Sequence, residues 1–298
     1  MNQKKMNKIL VIGSISIDNV TYTNNLPQPG MTVYGESFFS NIGGKGANQA
    51  CAIHFLEGDV DFYGSIGNDE NGQRVEKFLK STGIAMILKK SSQNTGVATI
   101  IIDNKTAENR IVIVPGSNMD ILPSDIDQID FSKYQYLLIQ LENPVDTVAY
   151  AIKKAKANGL TVILNPAPYH EMPEDVFPYI DYFIPNEHEL DQFTPEIKGD
   201  ELIKAKHLLS KGIKRIIVTL GEKGSLYLDN DKHVSVDPYK VAAIDTTGAG
   251  DTFCGAFVTA LSKGYQVKEA MDFASKASSL TVTKKGAISS LPRLSDLK

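Results

Sequence analysis

The chain alternates short apolar runs rich in β-branched residues with longer segments of helical period, and this order constrains the fold more than any other feature. Strands are predicted at 8–13, 60–65, 136–141, 161–164, 182–185 and 215–219. Helices are predicted at 46–56, 71–82, 145–158, 200–211, 251–263 and 267–283. A strand-then-helix order of this kind predicts an α/β fold, with a mostly parallel central sheet flanked by helices on both faces.

Two segments, 19–39 and 96–114, interrupt the alternation. The first holds Pro27, Pro29 and Gly30 between alternating stretches, and the second reads as strands at 97–102 and 110–114 around a polar turn. Both are predicted to be antiparallel β elements that form a small sheet beside the main one; two separate surface hairpins are the alternative. Because no repeat or long linker divides the chain, we expect one domain over 1–298, with these segments as its lid.

Composition narrows the possible partners. Lys and Arg number 31 against 35 Asp and Glu, a net charge of −4, which argues against a nucleic-acid or membrane-surface partner. No apolar stretch approaches the ~20 residues of a membrane span, and residues 1–8 lack the features of a targeting segment. Two distant cysteines and five scattered histidines predict no zinc or iron site. We therefore expect a cytoplasmic protein.

A glycine-rich stretch, NIGGKGANQ at 41–49, leads into the first predicted helix. Its glycines allow a ligand to approach the backbone, and a helix N-terminus can face an anion. It is not a P-loop, because Lys45 is followed by Gly46, and it is not GxGxxG, because position 49 is Gln. Taken alone, a flexible turn before a helix explains it equally well.

A second glycine-rich stretch, DTTGAGDTF at 245–253, also runs into a helix. Gly248, Ala249 and Gly250 would offer backbone N–H groups at the positive end of that helix, which suits the charge that develops in phosphoryl transfer. Asp251 could accept a proton from an attacking hydroxyl. Alternatively, Asp251 caps the helix, since Asp is a favoured N-cap residue.

Two shorter patterns add candidate ligands. Asn186 and Glu189 have the spacing of a capping box, although an amide and a carboxylate beside a phosphate could equally hold Mg²⁺ through water. Ser16 and Asp18 are predicted at the carboxyl end of the first sheet strand, where α/β sheets bind ligands, and alternation would point both the same way. An ordinary strand-to-loop exit is the alternative there.

Together these motifs resemble the ribokinase family, also called the PfkB family of carbohydrate kinases. The resemblance covers nearly the whole chain and includes GGKGANQA at 43–50, DTTGAGD at 245–251 and the shorter matches GSISID, QLENP, LNPAP, PNEHE, TLG and TKKGA. It implies a sandwich with a sheet of about nine strands, a small β lid, and ATP-dependent phosphorylation of the 5-hydroxyl of D-ribose. It also implies a homodimer formed through the lid.

The resemblance also implies roles for particular residues. Asp251 matches the catalytic base, and Gly248, Ala249 and Gly250 match the anion hole. The positions that match sugar contacts are Ser16, Asp18, Gly44, Lys45, Asn48 and Glu142. The positions on the nucleotide and Mg²⁺ side are Asn186, Glu189 (through water), Thr219, Gly221, Gly250 and Ser275. The positions that match a monovalent cation site, usually for K⁺, are Asp245, Thr247, Thr281, Lys284, Gly286 and Ser290.

One departure leaves the substrate open. The family usually carries Asn where this chain has Ser16, and Ser offers one shorter hydroxyl in place of a separate donor and acceptor. Another pentose, a 2-deoxypentose, or a nucleoside such as adenosine or pseudouridine are alternative substrates. A non-catalytic sugar sensor on the same fold is a less favoured alternative. A Rossmann dehydrogenase is excluded, because no GxGxxG follows the first strand.

Overall fold

A computed structural model of the chain describes residues 7–106 and 108–298. Most of the segment 1–8, predicted to carry no targeting signal, lies outside the described residues, as does residue 107 of the predicted lid. Nine strands of the described chain form the main sheet in the order β13-β12-β11-β10-β9-β8-β1-β4-β5. They are β1 (Ile9–Ile12), β4 (Val60–Gly67), β5 (Ala85–Ser91), β8 (Tyr136–Ile139), β9 (Thr161–Leu164), β10 (Tyr182–Phe183), β11 (Ile216–Thr219), β12 (Ser225–Leu228) and β13 (His233–Val236).

All pairs in this sheet are parallel except β11–β12 and β12–β13, which are antiparallel. The prediction of an α/β fold with a mostly parallel sheet is confirmed. The six predicted strands correspond to six of these nine strands, and β5, β12 and β13 were not predicted. Two of the missed strands, β5 and β13, are the edge strands of the sheet, and most of their residues are part-exposed or exposed.

Eight α-helices within residues 7–106 and 108–298 cover the sheet. They are α1 (Lys45–Phe55), α2 (Glu70–Thr82), α3 (Pro123–Ile126), α4 (Val145–Ala157), α5 (Glu187–Phe193), α6 (Glu201–Ser210), α7 (Ala249–Ser262) and α8 (Val267–Thr281). Along β1, Ile9 and Val11 face a core shared with α1, α2, α7 and α8, whereas Leu10 and Ile12 face a core shared with α3 to α6. Period-two alternation therefore buries both faces of the central strand.

Four strands, β2 (Ser16–Thr23), β3 (Gly35–Gly43), β6 (Gly96–Asp103) and β7 (Asn109–Val114), form a second sheet in the order β3-β2-β6-β7. The predicted small sheet is confirmed, and each of its two segments is an antiparallel pair. The segments join through a parallel pair, β2 with β6, so they are not separate hairpins.

The structure corrects the predicted position of Ser16 and Asp18. The first sheet strand ends at Ile12, and both residues lie on β2 of the small sheet. The chain crosses from one sheet to the other at residues 13–15, which the apolar run alone did not reveal. The expectation that Ser16 and Asp18 point the same way is confirmed, since both line the same cavity.

Two close backbone contacts bring the glycine-rich stretches together. A Cβ on Gly46 would lie 2.5 Å from the carbonyl carbon of Gly13, so α1 begins directly against the end of β1. A Cβ on Gly255 of α7 would lie 2.9 Å from the backbone oxygen of Gln49 on α1. Only glycine allows these approaches, and they place the first turns of α1 and α7 side by side.

No helix in the described part of the chain is both long and apolar enough to cross a membrane.

Candidate active site

A cavity of 560 Å³ opens between the small sheet and the carboxyl edge of the main sheet. Its apolar wall includes Ala98, Ile100 and Ile113 of β6 and β7. Its polar wall contains all the predicted sugar-side residues, namely Ser16, Asp18, Gly44, Lys45, Asn48, Glu142 and Asp251. The sequence therefore identified the polar end of one cavity, although its members come from distant segments.

A second cavity, of 470 Å³, lies on the other side of the α7 N-terminus. It is lined by the predicted nucleotide-side residues Asn186, Thr219, Gly221, Gly250 and Ser275, together with Ala249. A smaller cavity of 200 Å³ is lined by Lys45 and Asp251 of the first cavity, by Asn186 and Gly250 of the second, and by Glu189. Asp251 thus lies where the two larger cavities meet.

The structure decides against Asp251 as a helix cap. Helix α7 begins at Ala249 with Gly248 in the N-cap position, so Asp251 is its third residue and not its cap. The Asp251 side chain instead accepts hydrogen bonds from two amides of α1. Asn48 Nδ2 donates to Asp251 Oδ2 at 2.8 Å, and Gln49 Nε2 donates to Asp251 Oδ1 at 2.9 Å. A carboxylate 6% exposed is thereby held at the junction of the cavities.

The first turn of α7 presents free donors to the same place. Gly248 has φ 78°, a left-handed conformation that suits glycine, and no side chain caps the helix. Within the described residues, the N–H groups of Gly250 and Asp251 have no acceptor. Unpaired donors at the positive end of a 14-residue helix suit an anion, and we call residues 245–251 the anion-binding turn for this reason.

Glu142 closes one end of the first cavity. One of its carboxylate oxygens accepts hydrogen bonds from the Ser14 hydroxyl and, at 2.9 Å, from the backbone N–H of Lys45. Ser16 Oγ donates to Asp18 Oδ1 at 2.8 Å, and burial raises the pKa of Asp18. These oxygens form a set of acceptors suited to the hydroxyl groups of a sugar.

Lys45 balances the negative charge of the site. Its burial would lower the pKa of the ammonium, but the nearby carboxylates of Asp251, Glu142 and Glu189 together raise that pKa. Lys45 therefore remains charged between the two cavities, where it can attract phosphate.

Asn186 and Glu189 form the predicted capping box of α5. Asn186 Oδ1 accepts from the Glu189 N–H, and Glu189 Oε2 accepts from the Asn186 N–H, both at 2.8 Å. Burial raises the pKa of Glu189. In the described part of the chain, Glu189 Oε1 accepts no hydrogen bond, so the cap leaves one oxygen for a ligand.

The predicted monovalent-cation residues lie behind the anion-binding turn. Asp245 accepts hydrogen bonds from the N–H groups of Thr247, at 2.9 Å, and Gly286, at 2.8 Å. Burial opposes this charge, but the two backbone hydrogen bonds lower the pKa of Asp245 overall. Asp245 thus ties the C-terminal loop 283–290 to the turn that precedes α7.

Thr247 lines the first cavity, whereas Thr281, Lys284 and Ser290 lie outside the cavities that Asp251 lines. The hydroxyl of Thr281 is buried at 2.8 Å from Thr252 Oγ1, and Ser290 Oγ donates to the Ala287 carbonyl. Lys284 lines a separate surface cleft, beside Arg74 and Arg293. Any contribution of these three residues to a cation site would therefore come from backbone oxygens.

Several polar residues at the site had no predicted role. Ser14 belongs to the GSISID motif and lines the first cavity. Gln49, Gln140 and Asn165 also lie within the matched motifs, but they do not line that cavity. Their signal in the sequence is weak, since only their position beside motif residues distinguishes them from other buried amides. Gln49 and Gln140 are fully buried.

Comparison with known proteins agrees with this site. Residues 6–294 match the profile of the pfkB family carbohydrate kinases. The chain is 36% identical to the ribokinase of Lactococcus lactis (98% of this chain, 96% of the relative) and 38% identical to the deoxyribokinase of Salmonella typhi (96% of each). The structure of Arabidopsis thaliana ribokinase complexed with ribose and ATP superposes with a TM-score of 0.88 at 30% identity, covering 97% of this chain and 96% of that one.

The fold, the paired cavities and these relatives define a sugar kinase, a phosphotransferase that uses an alcohol group as acceptor. The chain belongs to the PfkB, or ribokinase, family of carbohydrate kinases. The family resemblance in the sequence is confirmed, and membership implies ATP as the phosphoryl donor.

Proposed function

We propose that the protein transfers the γ-phosphate of ATP to the 5-hydroxyl of D-ribose. The observation that carries this proposal is the position of Asp251. Its buried carboxylate lies between a cavity rich in hydroxyl acceptors and a cavity lined by the α7 N-terminus. A sugar and a nucleotide bound on either side would meet at this carboxylate.

In this proposal the sugar hydroxyl attacks the γ-phosphorus in line, and the bond to the β–γ bridging oxygen breaks. Asp251 accepts the hydroxyl proton as general base. The anion hole of residues 248–251 stabilises the charge on the transferring phosphoryl group; in the described structure the N–H groups of Gly250 and Asp251 have no acceptor and can donate to it. Lys45 provides a positive charge on the same side.

The residues present fit a Mg²⁺ ion that is held mainly through water and phosphate. Within residues 7–106 and 108–298, no group of three or more His, Cys, Asp or Glu side chains is arranged to hold a metal. Glu189 nevertheless offers one free carboxylate oxygen in the small cavity. Mg²⁺ commonly uses one or two carboxylates and keeps several waters, and when bound it neutralises charge on the ATP phosphates.

The loop behind the anion-binding turn fits a monovalent cation. In the described structure, the carbonyls of Thr247, Lys284, Gly286 and Ser290 accept no hydrogen bond. Asp245 adds a carboxylate whose pKa is lowered by its backbone hydrogen bonds. We propose that Asp245, Thr247, Thr281, Lys284, Gly286 and Ser290 surround K⁺, chiefly with backbone oxygens.

A 2-deoxypentose is the second candidate substrate. Ser16 stands where the family usually has Asn, and its hydroxyl already donates to Asp18 at 2.8 Å. A deoxyribokinase is also among the relatives at 38% identity. Both observations favour a site that tolerates the loss of one sugar hydroxyl.

Turnover of ATP with Mg²⁺, in K⁺ or in tetramethylammonium, tests these proposals against D-ribose, 2-deoxyribose, other pentoses, adenosine and pseudouridine. We expect K⁺-dependent turnover with ribose, and ³¹P–¹³C coupling at C5 of the product. Preference for deoxyribose or a nucleoside would replace the substrate and keep the mechanism. Sugar binding without turnover of any compound would support the sensor alternative.

We also propose that the protein is a homodimer formed through its small sheet. The residues of β7 are all exposed, and Val112 and Phe38 are 64% and 65% exposed on the same sheet. Apolar surface on an edge strand favours pairing with a second copy. Light scattering of the purified protein should give twice the chain mass of 32.6 kDa; a monomer at micromolar concentration would contradict this.

A cytoplasmic location follows as part of the same proposal, because the substrate ATP is an intracellular metabolite. The two cysteines of the described chain, Cys51 and Cys254, are both buried and free, in keeping with a reducing compartment.

A further inference from the structure

Three buried side-chain amides, those of Gln49, Gln140 and Asn165, form a hydrogen-bonded chain behind Asp251. Gln49 Nε2 donates to Asp251 Oδ1 at 2.9 Å and to Asn165 Oδ1 at 3.1 Å. Gln49 Oε1 accepts from Gln140 Nε2 at 2.6 Å. Asn165 Nδ2 in turn donates to the backbone carbonyl of Ile184 at 2.9 Å. Gln140 and Asn165 directly follow strands β8 and β9, so the chain is anchored at the carboxyl edge of the main sheet.

The Ile184 carbonyl determines how these amides are oriented. A backbone carbonyl can only accept, so Asn165 must turn its Nδ2 toward it and its Oδ1 toward Gln49. Gln49 must then present Nε2 to both Asn165 and Asp251, because its Oε1 is occupied by Gln140. Gln49 therefore faces Asp251 Oδ1 with its Nε2 donor, and its Oε1 acceptor cannot take that place.

The backbone leaves little space for this chain to rearrange. A Cβ on Gly13 would lie 2.1 Å from Gln140 Oε1, so the end of β1 packs directly on the amide. Gly255 brings the backbone of α7 against the Gln49 carbonyl of α1. Close packing on both sides keeps the Gln49 side chain at a fixed distance from Asp251.

We infer that Gln49 is a positioning residue for the reaction: it fixes the orientation of the Asp251 carboxylate without touching the sugar or the nucleotide. Gln49 is fully buried and lines neither large cavity. With Gln49 on Oδ1 and Asn48 on Oδ2, the carboxylate cannot rotate without breaking a hydrogen bond. This inference rests on the proposed role of Asp251 as base.

The roles of Gln49 and Asn48 therefore differ. Asn48 lines the first cavity, where we propose that the sugar binds, so its replacement affects both sugar binding and the position of the Asp251 carboxylate. Replacement of Gln49 by Met keeps the length of the side chain but replaces the polar amide with an apolar thioether, so the hydrogen-bond donor to Asp251 is lost. We expect kcat to fall by about ten- to hundredfold, the effect of losing a hydrogen bond to a charged group. The KM values for sugar and ATP should change by less than about threefold.

A double-mutant cycle separates positioning from general damage. Gln49→Met is measured in the wild-type and Asp251→Ala backgrounds. If Gln49 acts through Asp251, its replacement has less than about a threefold further effect on kcat once Asp251 is gone. An equal fall in both backgrounds would overturn the inference, as would unchanged kcat in the single variant.

Two further variants serve if Gln49→Met fails to fold and control for the loss of a buried polar group. Gln140→Met removes the donor to Gln49 Oε1 without touching Asp251; it should lower kcat by a smaller factor, again only when Asp251 is present. Thr259→Val is the matched control, since Thr259 is fully buried on α7 and donates to the Gly255 carbonyl two turns from the site. It should leave kcat and both KM values unchanged.

Unfolding of the same four proteins of the cycle in urea supplies a second readout. A coupling between Gln49 and Asp251 is expected there, because the two side chains are bonded in the folded protein. If the wild type phosphorylates no compound, the proposed function fails while this coupling persists. Additive effects of the two substitutions on the free energy of unfolding would show that Gln49 and Asp251 are not coupled, and would overturn the inference.

Discussion

Asn48 Nδ2 donates to Asp251 Oδ2 at 2.8 Å, and this hydrogen bond joins the first turns of α1 and α7 across the two glycine-rich motifs. The other side-chain atom of Asn48, Oδ1, is buried and has no partner among the described residues. Because Asn48 lines the first cavity, we propose that a hydroxyl of the bound sugar donates to this acceptor.

Replacement of Asn48 by Ala should therefore weaken sugar binding and slow turnover. The loss of one hydrogen bond, about 0.5–1.5 kcal/mol, would raise the sugar KM by about two- to twelvefold. The value of kcat should fall as well, because Asp251 loses a donor. Steady-state kinetics with ribose measure both effects, and an unchanged sugar KM would contradict the proposed contact.

Replacement of Ser16 by Asn should shift specificity toward ribose. Asn provides a separate donor and acceptor where Ser16 spends its hydroxyl on Asp18. We expect the ratio of kcat/KM for ribose over 2-deoxyribose to rise by up to about tenfold, the value of one hydrogen bond. Ser16→Ala is the control and should not raise this ratio. Equal ratios in wild type and Ser16→Asn would show that position 16 does not discriminate.

Replacement of Asp245 by Asn should abolish or weaken activation by K⁺. Asp245 connects Thr247 to Gly286, and an amide both lacks the charge and disturbs these two contacts. In a K⁺ titration of turnover, half-activation should move to a concentration at least about tenfold higher, the result of losing about 1.4 kcal/mol. Asp231→Asn, at an exposed turn, should titrate like wild type. A normal K⁺ response in Asp245→Asn would contradict the proposed cation site.

Asp181 gives a prediction about stability and pH. Its burial opposes ionisation, but hydrogen bonds from Lys156, the Val162 N–H and Lys214 lower its pKa overall. A carboxyl with a lowered pKa stabilises the fold above its unfolded pKa, near ~3.9, and this stability is lost as the pH falls through the folded pKa.

Asp181→Asn should therefore unfold more easily than wild type at pH 7, by about 1–3 kcal/mol. The difference should shrink at pH 3, which lies below the unfolded pKa of ~3.9, because the unfolded wild type then binds a proton that the folded carboxyl resists. Urea unfolding at both pH values measures this. Asp175→Asn, which breaks an exposed ion pair with Lys153, should change stability by no more than about 0.5 kcal/mol. An equal deficit of Asp181→Asn at the two pH values would refute the assignment.

The sequence predicted the features that depend on local pattern. Buried parallel strands such as β1 are continuous apolar runs, and the capping box of Asn186 and Glu189 follows from their spacing, so both were predicted correctly. The edge strands β5 and β13 carry exposed polar residues and depend on pairing with a neighbour. Their pattern alone therefore did not identify them.

The candidate site was predictable in its membership and not in its geometry. The two glycine-rich motifs indicated Asp251, but the same local sequence is compatible with a helix N-cap and with a general base. Only the packing of α1 on α7 distinguishes them, since it directs Asn48 and Gln49 at the carboxylate. The position of Ser16 on the small sheet depended likewise on a crossing between sheets at residues 13–15, which involves contacts distant in sequence.

The turnover of Asp251→Asn with ribose and saturating Mg²⁺–ATP shows whether the Asp251 carboxylate is the general base. The fold should be retained, as judged by the thermal unfolding midpoint, because Asn keeps the size of the side chain. We expect kcat to fall by about 10²–10⁴, the usual contribution of a general base. A folded variant with nearly wild-type kcat would contradict the role of Asp251 and, with it, the proposed mechanism.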